Sequence, residues 1–229
     1  MKRAVQIGWH SARANLIPAV VLWLMAASAV WAYYRLPGVS RAFDEFVGFQ
    51  NRWGWPVVFG LRAFFCGALP GVFLLTLKSI RPKRPLTVVV IQILWCGAWG
   101  VVCDWFYGVQ DILFGSGYDA VTVLAKTFVD QFPWTILVIS PVNSAFYFWM
   151  GRDFSLKRLR EDWPHGAFFR NVMLPNLIAN WCVWIPVTVA VFLFPAPLRV
   201  HVSGFVSAFW FLLCLQVGAR SNSAESIDI

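Results

Sequence analysis

The feature that most constrains this chain is a series of long stretches without a single charged residue. They cover 14–34, 85–103, 131–151, 171–198 and 200–219, and a sixth, 53–77, is broken only by Arg62. A helix needs about 20 mostly apolar residues to cross about 30 Å of hydrocarbon. Lipid offers the backbone no hydrogen-bond partner, so a span is either a helix or part of a closed barrel. Barrel strands alternate apolar and polar residues, and runs such as 187–194 (VTVAVFLF) do not alternate. The expectation is an all-α, polytopic transmembrane helical bundle of about six spans. They lie near 14–34, 55–77, 85–107, 128–150, 171–194 and 199–218, in a single bundle over 1–220.

Composition excludes the main alternatives. Only 13% of the 229 residues are charged and 59% are hydrophobic, whereas a soluble domain carries about 25% charge. Aromatics reach 17%, with 14 Trp and 21 Phe, which suits a surface in contact with lipid. The net charge is +8, but the bases form short clusters between apolar runs. That is how orientation signals are arranged in membrane proteins; a nucleic-acid partner would call for a basic stripe on a soluble face. The five cysteines, Cys66, Cys96, Cys103, Cys182 and Cys214, all fall inside apolar runs. They show no metal-binding spacing and read as small buried hydrophobes.

The distribution of Lys and Arg sets the expected orientation. With six spans, one side receives Lys2, Arg3, Arg13, Lys78, Arg81, Lys83, Arg84, Arg152, Lys157, Arg158, Arg160, Arg170 and Arg220. The other receives only Arg35, Arg41, Arg52, Lys126 and Arg199. Both termini are therefore expected on the positive side, cytosol or matrix. Ala27-Ser28-Ala29 resembles a signal-peptidase site, but the first apolar run exceeds the roughly 7–15 residues of a signal core, so a retained anchor is expected. Residues 152–166 mix Phe154, Leu156, Leu159 and Trp163 with Lys157, Arg158 and Arg160. They are expected to form an interfacial amphipathic connection, with 221–229 as a polar tail. Ala63, Gly67 and Gly71 recur at four-residue spacing, which lets helix backbones approach closely in lipid. Gly97 and Gly100 offer a matching patch on the next span.

Ionisable groups inside spans are costly and usually face the bundle or a wet cavity. Alternating span direction places Arg62, Asp104, Lys126, Asp130 and Arg199 at a similar depth, three bases against two acids. Two readings follow: ion pairs that fix helix register, with Arg62 and Asp104 as partners, or a polar constriction admitting small solutes. Catalytic chemistry is not expected. His10, His165 and His201 are the only histidines, and no Ser/His/Asp set converges. No phosphate loop, dinucleotide fingerprint or zinc motif occurs. No cofactor and no metal are expected, and the chain is not expected to be an enzyme.

The C-terminal half also carries a resemblance. Lys126-Thr-Phe-Val-Asp130-Gln131 is similar to the K-x-x-x-D-Q opening of a helix in the Mpv17/PMP22 family. Pro175-Asn-Leu-Ile-Ala-Asn180-Trp181-Cys-Val-Trp184-Ile-Pro186 resembles that family's P-x-L-x-A-N-W-x-V-W-P-P signature. Pro195-Ala-Pro-Leu-Arg199 resembles its P-x-x-x-R turn, and Trp210 its last-helix tryptophan. The segment from Gly100 to Phe106 is a weaker echo of G-P-x-x-H-x-W-Y; with Trp105-Phe106 set on its W-Y, Cys103 stands in the position of the histidine. The resemblance covers about 84–216. It implies a small organellar membrane protein, in the mitochondrial inner membrane or the peroxisome, proposed to form channels or to support membrane homeostasis; a bacterial inner membrane fits the sequence as well. The leading expectation is a weakly selective channel, a pore for small solutes, lined by Arg62, Asp104, Lys126, Asp130, Gln131 and Arg199. The alternative is a non-conducting scaffold whose buried charges fix helix packing. The lipid bilayer is the expected partner, and a homo-oligomer stays open.

Overall fold

The structure, a computed structural model, describes residues 16–76, 82–163, 168–169 and 173–225. Lys2, Arg3, His10, Arg13, Lys78, Arg81, His165 and Arg170 lie outside the described residues. So does the end of the expected amphipathic connection, 164–166. Among the described residues the fold is all-helical, with no strand.

Helix α1 spans Leu16–Arg35 and α2 spans Pro37–Trp53. The break between them is local chemistry. Leu36 precedes a proline and is held extended, at φ −112° and ψ 103°, because the proline ring disfavours the helical region for its predecessor. Pro37 then starts the next helix, where its missing N–H costs nothing. The two helices meet at 96°. Gly54 ends α2 with a φ of +66°, a conformation that favours glycine. The spans expected from sequence leave 35–54 as a connection; the structure makes most of it helix.

A continuous helical rod follows over Trp55–Thr76. It consists of α3 (Trp55–Arg62), a π-helical segment (Ala63–Ala68) and α4 (Leu69–Thr76). Helix α5 is Pro85–Phe114, 30 residues long, or about 45 Å at 1.5 Å per residue. A second long rod comprises α6 (Ala120–Val129), a π-helical segment (Asp130–Ile139) and α7 (Ser140–Met150). The short α8 (Leu156–Asp162) precedes α9 (Leu174–Phe192) and α10 (Ala196–Glu225). Helix α10 therefore continues into the stretch expected to be a polar tail.

Among the described residues, two helices are long and apolar enough to cross a membrane, Trp55–Thr76 and Pro85–Phe114. The bent pair Ala19–Arg35 and Pro37–Trp53 makes a third if it counts as one span. The chain is thus an all-helical protein with helices suited to a membrane. The sequence reading drew one bundle over 1–220, whereas the helices group into two compact units. The first comprises Met1–Leu24 and Asp119–Val189, the second Met25–Tyr118 and Ala190–Ile229.

In the second unit the rod Trp55–Thr76 packs on α5 through glycines. A Cβ on Gly67 would lie 2.6 Å from the Ile93 Cα, and one on Gly71 would lie 2.7 Å from a Val89 methyl. A Cβ on Gly97 would lie 2.7 Å from the Phe59 ring. The small-residue stripe is thus the seam between two helices of one chain. In the first unit, α1 is tied to α9 by the Trp23 indole, which donates to the Val183 carbonyl at 3.1 Å. The turn after α7 places Asp153 and Phe154 at φ of 53° and 57°. Such values are unfavourable for a bulky side chain. The Phe154 ring sits 5.1 Å from Trp149 and 6.2 Å from Phe146, and the Asp153 carboxylate accepts from the exposed Arg158 at 2.8 Å.

Candidate functional site

Each unit buries an ionisable side chain beside a π-helical segment. In the second unit Arg62 is the last residue of α3 and only 7% exposed. Its aliphatic stem fits where Gly100 and Gly204 carry no side chain. A Cβ on Gly100 would collide with the Arg62 Cγ, and one on Gly204 would lie 2.8 Å from its Cδ. The Nη1 group donates to the Ser207 hydroxyl at 3.3 Å and approaches the Cys66 sulfur at 3.7 Å. The Ser207 proton is committed elsewhere, to the Ser203 carbonyl at 2.8 Å.

The π segment next to Arg62 explains the polar groups gathered there. Widening a helix to an i→i−5 ladder, seen as the Leu69 N–H bonding Phe64, leaves a carbonyl off the regular pattern. The Cys66 carbonyl takes up side-chain donors instead, the Gln92 amide at 3.5 Å and the Cys96 thiol at 3.4 Å. The Cys66 thiol donates to the Gly204 carbonyl at 3.3 Å. Among the described residues no group of three His, Cys, Asp or Glu side chains is placed to hold a metal ion.

Asp104 was the expected partner of Arg62, but no ion pair within 4.0 Å joins them; the guanidinium is held by Ser207 and Cys66 instead. Arg199 is fully buried and is paired with Asp111 at 2.6 Å. Its Nε donates to the Phe194 carbonyl at 2.9 Å, closing the break between α9 and α10. Asp111 was missed in the sequence because the expected span ended at 107. A signal was present: Asp104 and Asp111 are seven residues apart, two helical turns, on a helix that continues to Phe114. His201 shares a 2.7 Å hydrogen bond with Gln50 of α2 and meets the Phe46 ring edge-on at 4.9 Å.

In the first unit the buried group is Asp130, at 4% exposure, opening the second π segment. The Gln131 amide donates to its carboxylate at 2.7 Å and lies 2.8 Å from the Thr188 hydroxyl on α9. The π segment again frees backbone carbonyls. The Thr135 hydroxyl donates to that of Asp130 at 2.7 Å, and the Trp181 indole donates to that of Gln131 at 2.7 Å. The D-Q and N-W motifs of the family resemblance, fifty residues apart, therefore touch. Lys126 is completely buried in the same unit. Asn180 and Trp184 are half-buried on α9, Pro186 lies exposed within it, and Pro195 occupies the break before α10, where its carbonyl accepts from the Leu198 N–H at 2.9 Å. Trp210 is half-buried on α10.

The six residues expected to line a pore come from both units. Arg62, Asp104 and Arg199 belong to the second unit, and Lys126, Asp130 and Gln131 to the first. Within the first unit, Asp130 and Gln131 are hydrogen-bonded to each other. Comparison with known proteins finds no matching family model, no matching curated protein and no matching solved structure.

Proposed function

We propose that the chain passes small solutes through a membrane, with Arg62 and Asp130 meeting the solute or the water that accompanies it. One observation carries this reading. Each unit holds a buried ionisable side chain, the cation Arg62 and the acid Asp130, with no opposite charge within 4.0 Å among the described residues. A charge locking helices together would be paired, since an uncompensated charge in a low-dielectric interior is strongly destabilising. Ionisable groups inside a membrane protein usually face the bundle interior or a water-filled cavity and mark solute and proton pathways. The resemblance to the Mpv17/PMP22 family supports the same direction, as do the helices long and apolar enough to cross a membrane. The mitochondrial inner membrane is the proposed location.

The test is solute efflux from liposomes containing the purified protein. Wild type is expected to leak small solutes, and Arg62→Gln or Asp130→Asn to change the rate or the selectivity. Vesicles that stay tight at every imposed voltage would overturn the proposal.

A scaffold is the second reading, and specific bonds favour it. The Arg199–Asp111 pair and the chain from Asp130 through Gln131 to Thr188 join separate helices and need no solute to explain them. Tight vesicles together with large stability losses in Arg199→Met would favour this reading.

A further inference from the structure

Arg62 has more hydrogen-bond capacity than its surroundings use. A guanidinium carries five N–H donors in a flat fork. Among the described residues only its Nη1 group finds partners, the Ser207 oxygen at 3.3 Å and the Cys66 sulfur at 3.7 Å. Neither partner is anionic in the manner of a carboxylate, and Nε and Nη2 have no acceptor among the described residues. The groups nearest the cation are hydroxyl, thiol and glycine: Ser207, Cys66, Gly100 and Gly204. The two glycines hold the stem so closely that the fork has little freedom to swing away.

The environment distinguishes this arginine from Arg199, in the same unit. Arg199 is also buried, but Asp111 sits 2.6 Å from it. At Arg62 no acid comes within 4.0 Å. A buried cation with unspent donors and a fixed stem is complementary to a small acceptor of one negative charge. A large or doubly charged anion fits less well, because only one cation is present to offset its desolvation.

We infer that Arg62, with Ser207 and Cys66 beside it, forms a binding site for a small monovalent anion of the halide or nitrate type within the second unit. As a statement about the solute that is carried, this rests on the pore reading. As a statement about binding, it holds in a closed protein as well.

The probe is chloride, added as its potassium salt to the full chain in detergent at constant ionic strength, with gluconate as the balancing anion. Chloride is expected to raise the melting temperature saturably, as a ligand selective for the folded state does. Nitrate is expected to act likewise, and sulfate is not. Arg62→Met is expected to abolish the effect, with at least about tenfold weaker apparent affinity, the scale of one charged hydrogen bond. Arg62→Lys is expected to retain part of it, since charge remains but the fork is lost. A melting temperature indifferent to chloride, or one that rises equally in Arg62→Met, overturns the inference. Should Arg62→Met fail to fold, chloride-35 line width on the wild type decides. Broadening that nitrate reverses supports the site, and an unbroadened line refutes it. Liposome flux without chloride binding would sink this inference and leave the pore reading standing. Chloride binding in tight vesicles would do the reverse.

Discussion

In the second unit, helices come together because side chains are missing; in the first, because polar side chains are present. Gly67, Gly71 and Gly97 bring Trp55–Thr76 against α5 at distances that leave no room for a methyl group. Gln131, Thr188 and Trp181 join α9 to the Asp130–Ile139 segment through hydrogen bonds of 2.7 and 2.8 Å. Both are known solutions to the same problem, since apolar helices in lipid gain nothing by hiding from water. The difference teaches where each unit is brittle. A glycine seam fails by steric collision when anything is added. A polar network fails by orphaned groups when anything is removed.

The largest expected effect tests whether an ion pair belongs on the second unit's side of that contrast. Arg199→Met is expected to cost about 3–5 kcal/mol, because it breaks a buried ion pair beside a helix break. The double variant Arg199→Met with Asp111→Leu is expected to regain a large part, as read from thermal melts in detergent. A double variant no better than the single would remove the pair from the comparison. Next comes the seam itself. Gly67→Ala is expected to lose about 1–3 kcal/mol through overpacking against the Ile93 backbone. Gly48→Ala on α2, where nothing lies within 4 Å of the added atom, is expected to be neutral or slightly stabilising. Equal effects at the two glycines would break the steric account.

The first unit is expected to answer more gently. Thr188→Val removes one hydroxyl partner of Gln131 and is expected to cost about 0.6 kcal/mol, the mean for hydrogen bonds between helices in membranes. Gln131→Leu is expected to cost more, about 1–3 kcal/mol, because the buried Asp130 carboxylate loses its amide donor. The order of those two losses is the check. The smallest effect lies at the start of α6. The Asp119 carboxylate accepts from the Thr122 N–H at 3.0 Å, which holds it below the usual carboxylate range. Its contribution is therefore present above the unfolded value of about 3.9 and fades as pH falls through the lower folded one. Protection of the Thr122 amide, measured against the free-peptide exchange rate at the same pH, is expected to fall below about pH 4, and Asp119→Asn is expected to remove that dependence while keeping the cap.

The helical character of the chain was legible because charge-free runs of twenty residues leave few alternatives. The stripe Ala63, Gly67, Gly71 was legible for a similar reason: four-residue spacing fixes a face whatever the helix packs against. Neither the break at Leu36-Pro37 nor the helix over 37–53, whose mixed composition lacks an apolar run, was anticipated from the sequence. The partner of Arg199 lay beyond the expected end of α5, because apolar length marks where a helix enters and leaves lipid, not where its hydrogen bonding stops. The pairing of Arg62 with Asp104 was inferred from depth alone. Depth does not specify azimuth around a helix, and Ser207 and Cys66 occupy the face that Arg62 points to. The π segments left no composition signal, because an i→i−5 register is chosen by what the freed carbonyls can bond, here Gln92, Cys96, Thr135 and Trp181.

Those wider turns have a geometric consequence for how such a chain tolerates change. An ordinary helix advances about 100° per residue, so one surplus residue would turn everything downstream by that amount unless a wider turn takes it up. Removing a single residue from 63–68 and restoring the narrow coil would therefore leave both Arg62 and Gly71 close to the faces they now occupy. The chain can thus lose one codon there and keep its downstream interface, giving up only the freed Cys66 carbonyl that Gln92 and Cys96 bond.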